Sequence, residues 1–344
     1  SGFFLSNVNK GSDFFRQEIF KMNNELFHRG PNNGDIWFDL IDRIYLGHRR
    51  LSIIDLSDKG NQPMKSINQR FVISFNGEIY NYKELKKDLI KKKIKFENRS
   101  DTQVLLEVIS FYGIEDGIKK VNGMFSFALW DKKEKSLYLV SDRLGKKPLY
   151  WSNINNNIIF GSELKSLVSF YMFKREINKK SLQNFLKFSY INSPDTIFKN
   201  TYKLEPASIL RFNSKKNVTK SNYWNLDFNN ENKFKNYNNE EKIEKLSNLL
   251  EDSVTKRMIS DVPLGVMLSG GIDSSLVAAI AQKNSRKKVN TYSIGFKNKG
   301  FDESKYASEV SKILSTSHNE FILDDYSVED LIEKIPLYYD EPFA

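Results

Sequence analysis

Gly265-Val-Met-Leu-Ser-Gly-Gly-Ile-Asp-Ser-Ser275 is an apolar run that ends abruptly in Ser-Gly-Gly-x-Asp-Ser-Ser, after which apolarity resumes at helical spacing. Val266, Met267 and Leu268 read as a short buried strand, and Leu276, Val277, Ala278, Ala279, Ile280 and Ala281 as a helix of good helix formers. At the junction Gly270 and Gly271 allow a tight turn and close backbone approach. The loop amides and the hydroxyls of Ser269, Ser274 and Ser275 are therefore expected to converge on an anion at a helix N-terminus.

The loop departs from the common nucleotide-binding patterns. It lacks the Lys of Gly-x-x-x-x-Gly-Lys and the spacing of Gly-x-Gly-x-x-Gly, which disfavours a P-loop kinase and a dinucleotide-binding domain. Instead, Ser269 to Ser275 resembles the pyrophosphate loop of ATP pyrophosphatases, which split ATP into AMP and pyrophosphate. A plain glycine turn with a serine helix cap is the bland alternative. Asp273 is a liability beside phosphate by charge alone, and a bound Mg²⁺ reverses that argument, so Asp273 is the candidate metal ligand.

The pattern continues as β/α alternation. Asn290-Thr-Tyr-Ser-Ile-Gly-Phe296 is strand-like, Asp302 to Leu314 is helical, and a further strand is expected around Glu320 to Leu323. A parallel sheet of this kind binds ligands at the carboxyl ends of its strands, which puts Ile294 where it can pack a base, although an ordinary core role suits it equally. Met267 is expected beside it near adenine.

A chain of 344 residues exceeds what a single core normally supports, so two domains are expected. Hydrophobic content is 40%, with no unbroken apolar run of spanning length, and no membrane segment is expected. The opening residues lack a basic leader and form too short an apolar patch for export, which makes the cytoplasm the default. Without any cysteine, disulfides, thiolate metal sites and a Cys nucleophile are excluded from these residues. The net charge of +10 comes from Lys and Arg that are scattered and interleaved with acids, as in Lys86 to Lys95, so nucleic-acid binding is not expected. From Asn213 to Asn239 the chain becomes Asn- and Lys-rich with few aliphatics and reads as a linker.

Ahead of that stretch, strands are expected at Arg70 to Phe75, Phe125 to Trp130, Ser136 to Ser141 and Ile158 to Gly161, with helices at Asn81 to Lys92 and Thr102 to Phe111. Trp130-Asp-Lys-Lys-Glu-Lys135 has the polar turn chemistry of a hairpin. The first half is therefore α+β, with stacked sheets covered by helices.

Several motifs then follow in a fixed order: Gly2-Phe-Phe, His28-Arg-Gly-Pro31, Arg50-Leu-Ser-Ile-Ile-Asp55, Asn76-Gly-Glu-Ile-Tyr-Asn81, Ser100-Asp101-Thr102, Asn122-Gly-Met-Phe125, Asp142-Arg-Leu-Gly, Lys147-Pro-Leu-Tyr150 and Phe160-Gly-Ser-Glu-Leu-Lys165. With the Ser269 loop they resemble the glutamine-hydrolysing asparagine synthetases over essentially the whole chain. The resemblance implies an N-terminal-nucleophile sandwich (αββα) as the glutaminase domain over residues 1–212, a linker over 213–239, and an incomplete ATP-pyrophosphatase-type α/β domain over 240–344. It implies that glutamine supplies ammonia through an internal tunnel while ATP adenylates the aspartate side chain, with AMP and pyrophosphate released. Keeping ammonia out of bulk water preserves its unprotonated form and its effective concentration.

Residue by residue, the resemblance assigns Arg50 to the glutamine α-carboxylate, Glu78 and Asp101 to its α-amino group, and Asn76 with the Gly77 amide to the oxyanion hole. Met267, Ser269, Gly270, Gly271, Asp273, Ser274 and Ile294 are assigned to ATP. Singly these residues have bland readings: Asn76-Gly77 as a turn, Arg50 and Asp101 as surface charges, Glu78 as a turn cap. His28 is expected to be structural, and His48 and His318 to be ordinary.

Two departures concern the ends. Relatives begin Cys-Gly-Ile-x-Gly-Phe, with the thiol as nucleophile and its own amine as base, so three residues are expected ahead of Ser1, and Ser1 is not expected to replace the thiol. Beyond Tyr339-Asp-Glu-Pro-Phe-Ala344 the relatives continue toward a second acid-rich ATP motif, so these residues alone are expected to have little synthetase activity and to expose an apolar sheet edge. A third departure is Asn32, where relatives usually carry Asp. Two functional alternatives stay open: amidation of another acid, such as a sugar carboxylate in polysaccharide assembly, and a noncatalytic binding relative. Relatives often form homodimers through the glutaminase domain, and the assembly of this chain stays open too.

Overall fold

The computed structural model describes residues 1–6, 10–228, 235–296, 302–323 and 328–343. Its strands are β1 (Gly2–Phe4), β2 (Asn33–Asp39), β3 (Ile44–Arg50), β4 (Met64–Lys65), β5 (Phe71–Ile79), β6 (Gly123–Asp131), β7 (Ser136–Ser141), β8 (Tyr150–Ile154), β9 (Asn157–Gly161), β10 (Thr201–Lys203), β11 (Ser208–Phe212), β12 (Val218–Asn222), β13 (Gly265–Met267), β14 (Asn290–Phe296) and β15 (Ser317–Leu323). The α-helices are α1 (Ser12–Asn24), α2 (Tyr82–Lys91), α3 (Asp101–Tyr112), α4 (Ile114–Lys120), α5 (Leu164–Val168), α6 (Lys179–Phe188), α7 (Asn239–Arg257), α8 (Ile272–Lys283), α9 (Ser304–Leu314) and α10 (Val328–Tyr338).

Two antiparallel sheets of six strands, ordered β10-β8-β9-β1-β3-β2 and β12-β11-β7-β6-β5-β4, face each other in the first unit. The side-chain period of two explains why their strands read as continuous apolar runs, since both faces of each are covered. Phe4, Ile44, Leu46, Ile158 and Phe160 point inward to meet Val72, Ala128, Trp130, Leu137 and Leu139 of the other sheet. Their sequence neighbours Phe3, Tyr45 and Ile159 point outward onto Phe15, Ile19 and Met22 of α1 and Leu167 of α5. Across the second sheet α3 packs on β5, with Val104, Leu105, Leu106, Val108 and Ile109 all buried. The result is the αββα architecture expected from the sequence.

Helix α3 begins where Ser100 accepts the Gln103 N–H at 3.2 Å. That cap fixes Asp101 as the first helical residue, which matters below. The expected hairpin at 130–135 is the β6–β7 turn.

The chain divides into Ser1–Leu226 with Pro336–Ala344, and Asp227–Ile335. This differs from the expected boundaries. The stretch 213–239 is not all linker, because Val218–Asn222 forms β12 and pairs antiparallel with β11, so the first unit extends past residue 212. A run of polar residues is compatible with an edge strand whose outer side faces water. Residues 229–234 of that stretch lie outside the described residues. At the other end, Asp340 and Glu341 are held in the first unit: Asp340 accepts the Lys165 backbone N–H at 2.9 Å, and Glu341 pairs with Lys203 at 2.6 Å.

In the second unit β13, β14 and β15 form a parallel sheet in that order, with α8 and α9 on one face. Leu268, Ala278 and Ala307 make its small buried core. Helix α7 opens with a capping box between Asn238 and Glu241. The expectation that Val266, Met267 and Leu268 are all buried is corrected here. Only Leu268 is, while Met267 is 63% exposed, because Met267, Ile294 and Phe321 sit on the sheet face opposite the helices. No helix among the described residues is long and apolar enough to cross a membrane.

Candidate functional site

Strand β3 and strand β5 belong to different sheets, and their inward-facing residues meet at one end of the sandwich around a cavity of about 380 Å³. Past Leu46 the inward positions of β3 become His48 and Arg50, and past Val72 those of β5 become Ser74, Asn76 and Glu78. The core thus changes from hydrocarbon to polar groups within two residues on each strand. Arg50, Asn76, Gly77, Glu78 and Asp101 all line this cavity, so five residues spread over fifty positions are brought together as expected.

Arg50 is buried, and its guanidinium is braced by the chain itself. Nη1 donates to the Ser57 carbonyl and to Asn61 Oδ1, each at 2.8 Å, and Nη2 donates to the Asp55 carbonyl. Three of its five N–H groups are engaged, which leaves Nε–H and one Nη2–H for a carboxylate. Asp55 shapes the same loop by accepting the N–H groups of Ser57 (3.1 Å) and Arg99 (2.8 Å). The surface-charge reading of Arg50 and Asp101 is excluded by burial, at 7% and 5% exposure.

Asp101 accepts the Ile79 N–H at 2.9 Å and the Thr102 N–H at 2.9 Å. Burial nevertheless pushes its carboxyl up to about 6, with the nearby Glu78 adding to the rise. Glu78 is raised as well, by burial, against the opposing pull of the Lys147 ammonium. Two acids raised by desolvation form a wall suited to a cation that would supply the missing charge.

Asn76 and Gly77 do not form a turn; both lie within β5, paired with Ser126 and Phe125 of β6. A Cβ on Gly77 would collide with the Met124 carbonyl and come within 2.6 Å of Phe125 Cα, so glycine is required by space. The other edge of β5 is covered by β4 only at Val72 and Ile73. Beyond that point side chains take over: the Phe75 N–H donates to Gln62 Oε1 at 2.7 Å, His48 Nε2 lies 3.0 Å from the Phe75 carbonyl, and Asp101 takes the Ile79 N–H. Strand alternation turns the Gly77 N–H toward the same open edge, between two filled positions. The Asn76 side-chain amide is also shielded from solvent without a hydrogen-bond partner. An unused backbone donor and an unused side-chain donor therefore occur at successive residues, the composition of an oxyanion hole.

Several neighbours escaped sequence reasoning. His48, Gln62 and Lys147 line the cavity, and the position of His48 two residues before Arg50 on one strand was the available signal. His28 pairs with Glu163 at 3.1 Å, and Arg29 with the same carboxylate at 2.8 Å, a bracing role for His28. His318 has both ring nitrogens near hydroxyls, Thr291 at 3.0 Å and Ser293 at 3.2 Å. Asn32 accepts the Ser52 N–H at 3.0 Å and does not line the cavity, so its amide leaves the cavity's charge unchanged. The backbone nitrogen of Ser1 donates to the Gly47 carbonyl at 3.1 Å.

The second cluster lies in the other unit. Ser269 Oγ and Ser274 Oγ are 2.9 Å apart, and Ser274 Oγ donates to the Gly271 carbonyl at 3.2 Å, closing the loop onto the first turn of α8. Gly270 has φ +81°, and a Cβ there would collide with Tyr306, so this glycine is obligatory on both counts. Gly271 needs no such freedom, since its Cβ would meet only Ser269 Oγ at 3.4 Å. Ser275 does not join the hydroxyl pair; its Oγ is shielded and unpartnered. Gly271 caps α8 without a side-chain bond, leaving the first-turn amides for a ligand, and Asp273 is exposed in that turn. Met267 and Ile294 share the open sheet face at the carboxyl ends of adjacent strands. No group of three metal-binding side chains occurs among the described residues.

Comparison with known proteins adds a family to this geometry. The glutamine amidotransferase domain family matches residues 3–224, and the asparagine synthase family matches residues 245–344. A putative glutamine-hydrolyzing asparagine synthetase 2 of Methanocaldococcus jannaschii is 38% identical, over 97% of this chain and 67% of its own length. The glutamine-hydrolyzing asparagine synthetase 1 of Bacillus subtilis is 35% identical, over 96% of this chain and 51% of its own. The chain thus spans between half and two thirds of these curated relatives. A solved structure described as the allosteric regulatory enzyme of purine biosynthesis superposes with a TM-score of 0.50 at 13% identity, over 99% of this chain and 92% of its own, a likeness of fold.

Proposed function

Because the chain belongs to the glutamine-hydrolysing asparagine synthetase family, we propose that the protein makes asparagine from aspartate and ATP with glutamine as nitrogen donor. In this reading the remaining N–H pair of Arg50 takes the glutamine α-carboxylate, Asp101 and Glu78 take its α-ammonium, and Asn76 Nδ2 with the Gly77 N–H takes the carboxamide oxygen as charge develops there. The observation that carries it is the open edge of β5. Two adjacent donors lack partners on the wall opposite a fixed guanidinium, which suits an amino acid with a side-chain carbonyl.

Hydrolysis also needs a nucleophile beside that wall. The family resemblance supplies an N-terminal cysteine, and these 344 residues contain none, so glutamine binding is the property proposed for them.

On the synthetase side the Ser269–Ser274 loop and the α8 amides are proposed to hold pyrophosphate, with Met267 and Ile294 flanking adenine. Asp273, an exposed carboxylate in the first turn of α8, would hold a Mg²⁺ there. When bound, the ion would offset phosphate charge. The aspartate side-chain carboxylate attacks the α-phosphorus, pyrophosphate leaves, and ammonia displaces AMP from the resulting β-aspartyl-AMP.

Calorimetric titration of the 344-residue chain with L-glutamine, against D-glutamine and L-asparagine, tests the first half. Saturable binding selective for L-glutamine is expected, and an absence of binding would remove the reading. Aspartate-dependent conversion of ATP to AMP by the full-length protein tests the second half; a response to a sugar acid but not to aspartate would replace the acceptor.

A further inference from the structure

We propose that His48 is a positioning residue of the carboxamide pocket, holding the Phe75 carbonyl through Nε2–H and thereby fixing the Asn76–Gly77 peptide units. The inference rests on the reading of this cavity as a glutamine site and goes beyond it by assigning a role to a side chain outside the ligand-contacting set.

Three observations support it. First, the tautomer is determined by the partner: a carbonyl oxygen only accepts, so the ring nitrogen 3.0 Å from the Phe75 oxygen carries the proton. Nδ1 is then a bare lone pair, and it is shielded from solvent with no partner. Burial holds the imidazole well below its usual pKa, so the neutral ring persists. Second, that orphaned acceptor is unfavourable, and an apolar residue continuing the Leu46 face of β3 would avoid it. The compensating interaction is the bond to Phe75.

Third, the bond occurs where no strand could supply it. β4 ends its pairing with β5 at Ile73, and β3 belongs to the opposite sheet, so the backbone of residues 75–78 has no ladder on that side. Gln62 takes the Phe75 N–H and His48 the Phe75 carbonyl, so one residue of the open edge is clamped at both of its backbone groups. The Phe75 carbonyl shares a peptide plane with the Asn76 N–H. Releasing it leaves that peptide held from the β6 side alone, which loosens the aim of Asn76 and of the Gly77 N–H at the cavity wall. Of the head-group partners, Arg50 and Asp101 stand on β3 and at the start of α3, each with its own bracing, while Glu78 lies on β5 beside Ile79, whose N–H Asp101 holds.

The inference separates recognition of the carboxamide from recognition of the amino-acid head group. L-Norvaline has the same head group and a propyl side chain, so the ratio of its dissociation constant to that of L-glutamine isolates the carboxamide. For the 344-residue chain, calorimetry is expected to give L-glutamine an advantage of roughly tenfold, the worth of about one or two buried hydrogen bonds. His48→Leu is expected to erase most of that ratio while leaving norvaline affinity within about twofold, and His48→Gln, which can still donate, to retain it. A full ratio in His48→Leu overturns the proposal. If that variant does not fold, His48→Asn against His48→Gln decides, because both are polar amides and only the longer one reaches: equal ratios overturn the role, and loss in Asn alone supports it. A wild-type chain that binds neither ligand, or both equally, removes the glutamine reading itself, a result distinct from failure of the clamp.

Discussion

Asp101 Oδ2 accepts the backbone N–H of Ile79 at 2.9 Å, which ties the first residue of α3 to the strand that carries Asn76 and Glu78. A single carboxylate therefore sets the spacing between the head-group wall and the carboxamide wall of the cavity. The same burial that allows this bond raises its pKa, and the first prediction follows from that conflict.

With the Asp101 carboxyl at about 6 in the folded chain and near 3.9 unfolded, the native state holds the extra proton between those values. The unliganded protein should lose stability as pH rises from about 4 to about 6, because the unfolded chain then binds fewer protons than the native one. Glutamine affinity should run the opposite way, falling as pH drops through about 6, since the α-ammonium needs the ionised acid. Asp101→Asn should flatten both profiles and weaken binding by at least roughly tenfold. Chemical denaturation and calorimetry across pH 4 to about 8 check both signs.

Arg50→Lys should reduce L-glutamine affinity by roughly tenfold or more, because an ammonium cannot reproduce the fork that is shared between the Asp55–Asn61 loop and a ligand carboxylate. The loop should loosen in parallel, read as faster amide exchange at Ser57 and Arg99, whose N–H groups are held by Asp55. Unchanged affinity would place the carboxylate elsewhere.

Gly77→Ala should destabilise the first unit by about 1–3 kcal/mol, since the new methyl meets the Met124 carbonyl and Phe125 across the β5–β6 ladder. A thermal melt is sufficient. A neutral result would mean that β6 yields at Phe125 and that glycine is retained there for the ligand alone.

Gly270→Ala should abolish binding of a nonhydrolysable ATP analogue to the second unit, because φ +81° and the collision with Tyr306 both oppose a side chain. Gly271→Ala should be far milder, its nearest contact being 3.4 Å. Nucleotide titration of the pair measures the contrast, and equal losses would show that close ligand approach, not loop geometry, requires both glycines.

Much of the architecture was legible from local pattern. Strand β7 and helix α3 lie within a residue or two of their expected ends because a period-two or wholly apolar run bounded by turn residues leaves few alternatives. Strands β10 and β12 are short and polar and carry little period-two signal, and β12 reads as linker because an edge strand needs only one partner. Met267 was expected to be buried because the sequence shows that a strand is apolar without showing which face of it is covered.

By itself the sequence determined the two-unit division in outline, the helix-covered sandwich and the Ser-Gly-Gly-x-Asp-Ser-Ser turn, which follow from periodicity and turn chemistry, while five residues of the cavity were legible only through the family resemblance that the ordered motifs carry. Only the tertiary structure decided that Asn76-Gly77 is strand and not turn, that Gly270 and not Gly271 requires glycine, and that His48 and Gln62 complete the edge of β5. The reason is physical. Whether a backbone donor is free depends on which strand is missing beside it, and a missing neighbour leaves no mark on the local residue pattern.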